Sequence, residues 1–228
     1  MTDVAPRIVA LVPARDEEAT VGNTVEALLR LPIGEVVVVD DGSSDATTSV
    51  ALAAGATVLR IPGHAGKGGA MEGALLRLPP ADIWLFTDAD LGSSAEGLGM
   101  LLEIVVSGRA DLGIALFPRQ DGGGLGTVKR SSAGAIRLLS GFRADEPLSG
   151  QRAITAACLD AVRPFAGGFG VETAMTIDAV RAGFRVVEVP VPGLTHRATS
   201  RSFSGFVHRG RQGVQIARAA TARAIRLR

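Results

Sequence analysis

What most limits the folds open to this chain is a repeating alternation. A short run of β-branched apolar residues stops at a proline, a glycine or an acid, and a segment follows whose apolar residues return every three or four positions. RIVALVP over 7–13 and EVVVVDD over 35–41 are such runs, apolar throughout, as buried parallel strands must be. Between them, 17–31 puts Val21, Val25, Leu28 and Leu29 on one helical stripe with Thr20 and Asn23 turned away. Strand, helix and strand thus fit within about 35 residues. The pattern continues with a helix over 44–54, a strand over 56–61, a helix over 68–78, a strand over 82–88, a helix over 94–106 and a strand over 111–117. Units of this kind predict an α/β fold, a Rossmann-like, mostly parallel, doubly wound sheet flanked by helices, with ligands beyond the carboxyl ends of its strands. Pro13 to Glu17, Asp40 to Ser43 and Asp88 to Asp90 each follow a strand directly and should share that edge.

The second half is more broken. A loop over 118–127 holds Gly122, Gly123, Gly124 and Gly126, and a helix follows over 128–140. Further helices are expected near 153–162 and over 172–182, a strand over 184–189, and a closing helix over 206–226. With 228 residues, no internal repeat and no long linker, one domain is expected. The formal net charge of +1 leaves no global field for gathering nucleic acid, and no nucleic-acid partner is expected. The charge is unevenly spread: from Val189 to Arg228 there is no acid, while Arg197, Arg201, Arg209, Arg211, Arg218, Arg223, Arg226 and Arg228 accumulate. A cationic helix with an apolar side suits either an anionic membrane surface or docking against the fold. The single cysteine, Cys158, lies among apolar neighbours, which rules out an internal disulfide framework and suits a reducing compartment. No run reaches the roughly 18 to 20 apolar residues of a membrane span, and the chain opens Thr-Asp rather than with a basic and then apolar leader. A cytoplasmic protein is expected, with peripheral contact at the inner membrane face left open.

Five segments carry chemistry. Asp88 and Asp90, on alternate positions where the run Ile83-Trp-Leu-Phe86 ends, can face one point and suit a hard cation, Mg²⁺ or Mn²⁺, bridging phosphate oxygens. Capping of the helix near Ser94 is the competing reading of an isolated Asp-x-Asp. Its place after a buried strand, on the edge shared with the other segments, favours the metal. In Asp40-Asp-Gly-Ser-Ser44 a strand-tip carboxylate suits a ribose hydroxyl or base N–H, while Gly42 turns the chain and a serine caps the next helix. Lys67, one of two lysines, stands in a glycine-rich stretch that lacks the spacing of a P-loop; either a placed ammonium beside a phosphate or a solvated turn accounts for it. Gly122 to Thr127, opening a helix that continues Val128-Lys129-Arg130, is a candidate anion seat, with a flexible linker as the alternative. Glu172 begins a helix and serves either to orient or deprotonate an acceptor hydroxyl or to stabilise the helix end.

Taken in order, Pro13-Ala-Arg-Asp-Glu-Glu18, Val36 to Asp45, Gly66-Lys-Gly-Gly-Ala70, Thr87-Asp-Ala-Asp-Leu91, Leu148-Ser-Gly-Gln-Arg-Ala153 and Gly168-Phe-Gly-Val-Glu172 resemble family 2 glycosyltransferases of the GT-A fold. Within that family the pattern is similar to polyprenyl-phosphate sugar synthases and to glucosyl- and mannosyl-phosphoglycerate synthases. The resemblance implies a metal-dependent transfer from a UDP- or GDP-sugar to a phosphorylated acceptor, polyprenyl phosphate or a small phospho-acid such as phosphoglycerate. It implies donor contacts at Pro13, Arg15, Glu17, Val39, Asp41, Lys67, Asp88, Ala89 and Asp90, a Mg²⁺ or Mn²⁺ site at Asp88, Asp90 and His196, and a catalytic set of Asp88, Asp90 and Glu172. Acceptor contacts are implied at Gly124, Thr127, Lys129, Ser149, Gly150, Gln151, Arg152 and Arg201. The domain would divide into a donor half over 1–117, an acceptor half over 118–204 and a basic helix over 205–228, and a homodimer is left open. The chain departs from the family at Arg15-Asp16, where an aromatic or small residue and Asn are usual, and at Gly92, where a glutamine ligand is often found. It departs again at Leu125, in place of an arginine, and at Gln151, in place of the aromatic of Ser-Gly-Phe-Arg. The alternatives are a sugar-phosphate nucleotidyltransferase, which would release pyrophosphate, and a non-catalytic nucleotide-sugar-binding module.

Overall fold

The four consecutive valines Val36 to Val39 are each at most 1% exposed, which requires a strand covered on both faces. The computed structural model describes residues 5–61, 66–118, 126–166 and 170–195. Over these the chain runs β1 (Ile8–Ala14), α1 (Val21–Leu29), β2 (Glu35–Asp40), α2 (Thr47–Ala53), β3 (Thr57–Arg60), α3 (Gly66–Leu75) and β4 (Ile83–Phe86). A 3₁₀ segment (Gly92–Leu98) then leads into α4 (Gly99–Val106), followed by β5 (Leu112–Leu116), α5 (Gly126–Ser140), β6 (Arg152–Thr155), α6 (Ala156–Val162), α7 (Val171–Arg181) and β7 (Val186–Pro190).

The strands form one sheet in the order β3-β2-β1-β4-β6-β5-β7. Every pairing is parallel except the two made by β6, which is antiparallel to both β4 and β5. Because side chains alternate across a strand, β2 feeds two cores. Val36 and Val38 pack with Val25 of α1, Ala51 of α2 and Leu101 of α4; Val37 and Val39 pack with Met71 of α3, Cys158 of α6 and Met175 of α7. The result is the expected three-layer α/β arrangement with a mostly parallel sheet. Cys158 is free and buried, and burial, aided by Asp111, pushes its thiol up to about 12.

The differences from expectation have local causes. Helix α1 starts at Val21 rather than residue 17, because Glu17 to Thr20 close a turn on the Glu17 carbonyl directly after Asp16, whose φ is 54°. Leu29 is 42% exposed and Thr24 fully buried, so the buried stripe is Val21, Thr24, Val25 and Leu28. The helix expected over 94–106 is instead a 3₁₀ segment followed by α4. Near 153–162 the helix begins only at Ala156, and the residues before it are β6. A four-residue strand abutting a helix carries no periodicity of its own, and alanine favours the helical reading. Only the cap marks the boundary, with Thr155 Oγ1 accepting from Cys158 N at 3.3 Å. The closing basic helix over 206–226 lies outside the described residues.

Candidate active site

Two loops at the carboxyl ends of β1 and β2 are locked together before any ligand is considered. Asp16 N donates to Ser43 Oγ at 3.0 Å, and the Asp16 carboxylate accepts from Ser44 N at 2.8 Å. Glu17 N donates to Thr47 Oγ1 at 2.7 Å, Glu18 N to Asp45 Oδ2 at 3.1 Å, and Ala46 N returns a bond to Glu18 Oε2 at 2.9 Å. At the start of α2, Ala46 N is thereby satisfied from the neighbouring loop, while Thr47 N is satisfied within its own loop by Asp45 Oδ1 at 2.9 Å. Asp40, fully buried, braces the turn from beneath, accepting from Ser43 N at 2.7 Å and from the Thr48 hydroxyl, with Arg60 Nε at 3.4 Å. Burial would raise its carboxyl, but those bonds outweigh burial and hold it below the ordinary carboxylate range. Asp41 N donates to Ala14 O at 3.0 Å, and the Asp41 carboxylate accepts from Gly66 N at 2.9 Å, a favourable anion at the N-terminus of α3.

That contact sets the register of α3 and brings in Lys67. Its Nζ lies 2.7 Å from Asp88 Oδ1 at the end of β4 and 2.8 Å from Glu172 Oε1 in the first turn of α7. Burial alone would lower the ammonium; the two carboxylates more than reverse it and hold Lys67 well above its ordinary range. The approach is close enough to need two glycines. A Cβ on Gly68 would stand 2.5 Å from the Ala166 carbonyl oxygen, and one on Gly150 would stand 2.4 Å from Lys67 Nζ and 2.8 Å from Asp88 Oδ2. Between Asp88 and Asp90, Ala89 is buried in the first core, leaving both acids half-buried at the rim. The loop is pinned from α1, with Thr24 Oγ1 donating to Ala89 O at 2.9 Å and accepting from Gly92 N at 2.8 Å. Thr24 is the residue that sequence reasoning missed; its signal was a polar side chain on the apolar stripe of a helix.

The other expected site residues fall into three groups. Pro13 is half-buried and Arg15 exposed, 3.8 Å from Asp16; the Val39 side chain faces the second core, so only its main chain lines the edge. Of the residues expected on the acceptor side, Gly150 and Gln151 meet Asp88 instead. Gln151 Nε2 donates to Asp88 Oδ2 at 2.7 Å and Gln151 Oε1 accepts from Asp88 N at 2.9 Å. Arg152 is 1% exposed and turned inward, bonded to Ser149 O at 2.8 Å and Thr176 Oγ1 at 2.9 Å. Burial pulls its guanidinium down to about 10 against the opposing pull of Glu172 and Glu188. Ser149 Oγ and Arg152 Nη2 are buried with no hydrogen-bond partner among the described residues. Lys129 Nζ sits 2.5 Å from Glu146 Oε1, in a loop whose Asp145 and Glu146 N–H groups both donate to Glu188 at 2.8 Å. Thr127 lies in the first turn of α5, its side chain not described, and Gly124, His196 and Arg201 lie outside the described residues. Among the described residues, no three His, Cys, Asp or Glu side chains cluster to hold a metal, and no helix is long and apolar enough to cross a membrane.

Comparison with known proteins bears on the family and the fold. The chain is 32% identical over 196 residues to the glucosyl-3-phosphoglycerate synthase of Mycolicibacterium paratuberculosis, covering 75% of this chain and 59% of that protein. It is 34% identical over 199 residues to the Mycolicibacterium smegmatis enzyme of the same name, covering 76% and 64%. The chain therefore spans less than two thirds of the length of these relatives. Its fold superimposes on the crystal structure of glucosyl-3-phosphoglycerate synthase from Mycobacterium tuberculosis in complex with Mg²⁺ and UDP. That match has a TM-score of 0.81 at 27% identity, over 96% of this chain and 79% of that one. The same enzyme in complex with Mn²⁺, UDP-glucose and phosphoglyceric acid matches with a TM-score of 0.79 at 26% identity, over 96% and 79%. The family model for glycosyl transferase family 2 matches residues 9–165, most of the chain and all of the strand-end loops that form the rim, and with the GT-A fold of its neighbours the chain belongs to glycosyl transferase family 2.

Proposed function

We propose that this chain is a divalent-metal-dependent glycosyltransferase that moves a hexose from a UDP-sugar to a small phosphorylated acid of the phosphoglycerate type. The observation that carries the reading is the Lys67 ammonium held between Asp88 and Glu172 at the carboxyl edge of the parallel strands. It joins the strand-end acids of the donor half to a carboxylate of the acceptor half. Asp88 and Asp90 offer carboxylate oxygens, hard donors suited to Mg²⁺ or Mn²⁺, and Asp88 Oδ1 already faces a cation. The residues fit such an ion; Asp88 and Asp90 would hold it, with His196 as the third ligand. When bound, it would offset charge on the donor diphosphate and on the leaving group. Lys67, the only ammonium at the rim among the described residues, is already shared between two acids, so it brings no surplus positive charge to a diphosphate, and the ion would supply it.

The protein's own groups do the rest. The locked loops after β1 and β2 present Pro13, Arg15, Glu17 and the Val39 and Asp41 edge to the nucleoside. Glu172, oriented by Lys67, accepts a hydrogen bond from the acceptor hydroxyl. Lys129, Thr127 in the first turn of α5, and Gly124 and Arg201 receive the acceptor's phosphate and carboxylate. UDP-glucose and phosphoglyceric acid are bound together by the M. tuberculosis relative, which supports a phospho-acid rather than a lipid phosphate as the acceptor.

The test is a coupled assay of UDP release from UDP-glucose with 3-phosphoglycerate, with Mn²⁺ or EDTA, beside parallel reactions with a polyprenyl phosphate and with no acceptor. Thermal shift is measured alongside for wild type, Asp88→Ala and Asp90→Ala. UDP release that needs Mn²⁺ and phosphoglycerate, and stabilisation by donor lost in both variants, is expected. Donor binding indifferent to metal, or pyrophosphate as the product, would overturn the reading.

A further inference from the structure

Gln151 stands where the family's usual segment has an aromatic, and its carboxamide is wholly committed to one residue. Its two polar atoms meet the main chain and the side chain of Asp88 at once: Oε1 accepts from Asp88 N at 2.9 Å, and Nε2 donates to Asp88 Oδ2 at 2.7 Å. The orientation of the amide is fixed by chemistry, since the flipped form would set NH₂ against N–H and carbonyl against carboxylate. Gln151 is 0% exposed, so water does not compete for either bond. Its main chain is held as firmly, with Ala115 N of β5 donating to Gln151 O at 3.0 Å and Arg152 opposite Phe86 in the antiparallel β4–β6 register.

We propose that Gln151 is the positioning residue of the metal ligand Asp88. This deepens the metal-dependent reading above and rests on it. A reciprocal pair of bonds to the amide and carboxylate of one aspartate fixes both side-chain torsions of that aspartate. It engages Oδ2 and leaves Oδ1 as the oxygen presented to a cation, which in this state is the Lys67 ammonium at 2.7 Å. An aspartate held this way would offer one oxygen, Oδ1, to the ion. The phenylalanine usual at this position has neither the donor nor the acceptor to do so. Gly150, next in the chain, keeps the space between Asp88 and Lys67 open, so consecutive residues of one loop perform complementary parts of the same task.

The test compares wild type, Gln151→Met, which keeps length and removes both bonds, Gln151→Phe, which installs the usual aromatic, and Asp88→Ala. UDP affinity is measured by calorimetry with EDTA and with Mn²⁺, and Mn²⁺ binding by electron paramagnetic resonance in the presence of UDP. Partners that orient a metal ligand are worth roughly 10- to 100-fold in metal affinity. Both Gln151 variants should therefore lose at least about tenfold of the Mn²⁺-dependent gain in UDP affinity while keeping wild-type affinity in EDTA. A purely structural role would lower the unfolding temperature and leave that gain intact. If neither variant folds, the wild type still decides: the Gln151 side-chain amide protons, seen by ¹⁵N NMR, should exchange slowly and shift when Mg²⁺ is added with UDP, and fast exchange would overturn the proposal. If Asp88→Ala loses the Mn²⁺ gain while folded Gln151→Met retains it, Gln151 is not the positioning residue and the metal reading stands. If Asp88→Ala also retains the gain, the metal reading falls and this inference with it.

Discussion

One methyl group at Gly150 should pull the charge cluster apart while the fold survives. A Cβ there would lie 2.4 Å from Lys67 Nζ and 2.8 and 3.0 Å from the two Asp88 oxygens, all well inside the roughly 3.5 Å at which heavy atoms pack comfortably. The ammonium ends a flexible side chain, so it yields first, and regaining contact distance requires a retreat of about 1 Å. With an effective dielectric constant of about 20, widening the Lys67–Asp88 pair from 2.7 Å to about 3.7 Å removes about 1.7 kcal/mol of attraction. Both side chains are partly exposed, at 23% and 31%, and screening brings the cost to about 1 kcal/mol. For a domain of this size that lowers the unfolding temperature by roughly 2 to 4 °C. The assay is calorimetric unfolding in EDTA of Gly150→Ala, Lys67→Met and the double variant. Because the methyl acts largely by displacing the ammonium, the two changes should be non-additive, the methyl costing less once Lys67 is gone. An unchanged unfolding temperature for Gly150→Ala, or strict additivity with Lys67→Met, would refute the reasoning.

Two further outcomes follow from the loops around the cluster. Thr24→Val keeps shape but strands the Ala89 carbonyl and the Gly92 N–H; the loss should be about 1 to 3 kcal/mol, read from urea unfolding, with weaker Mn²⁺-dependent donor binding because Asp88 and Asp90 flank the freed carbonyl. Asp40 is held below its unfolded value of 3.8, so its contribution to stability is present above pH 3.8 and is lost as pH falls from there through the lower folded value. Asp40→Asn should flatten the urea midpoint against pH in that window, and a wild-type slope retained in the variant would exclude Asp40 as the source.

How much of this was legible from the residues alone depends on the range over which each interaction acts. Four consecutive valines, proline and acids at strand ends, and three- to four-residue periodicity between them are local signals. They determined that the chain forms an α/β sheet, that helices cover it on both faces, and that Pro13 to Glu17, Asp40 to Ser43 and Asp88 to Asp90 gather at one edge. Period and turn chemistry act over a few residues, so the order of amino acids suffices to state them.

What only the tertiary structure decided is which distant groups meet. The antiparallel entry of β6 between β4 and β5 carries Gln151 to Asp88, 63 residues away in sequence, and buries Arg152 against α7. The approach of α7 to α3, permitted by the missing side chain of Gly68, brings Glu172 to Lys67. A four-residue strand has too little length to show a period, and an ion pair or a carboxamide clamp has no sequence signature at all. Each exists because packing the two cores fixes the relative positions of elements to within an ångström, and hydrogen bonds and ion pairs depend on distance that steeply.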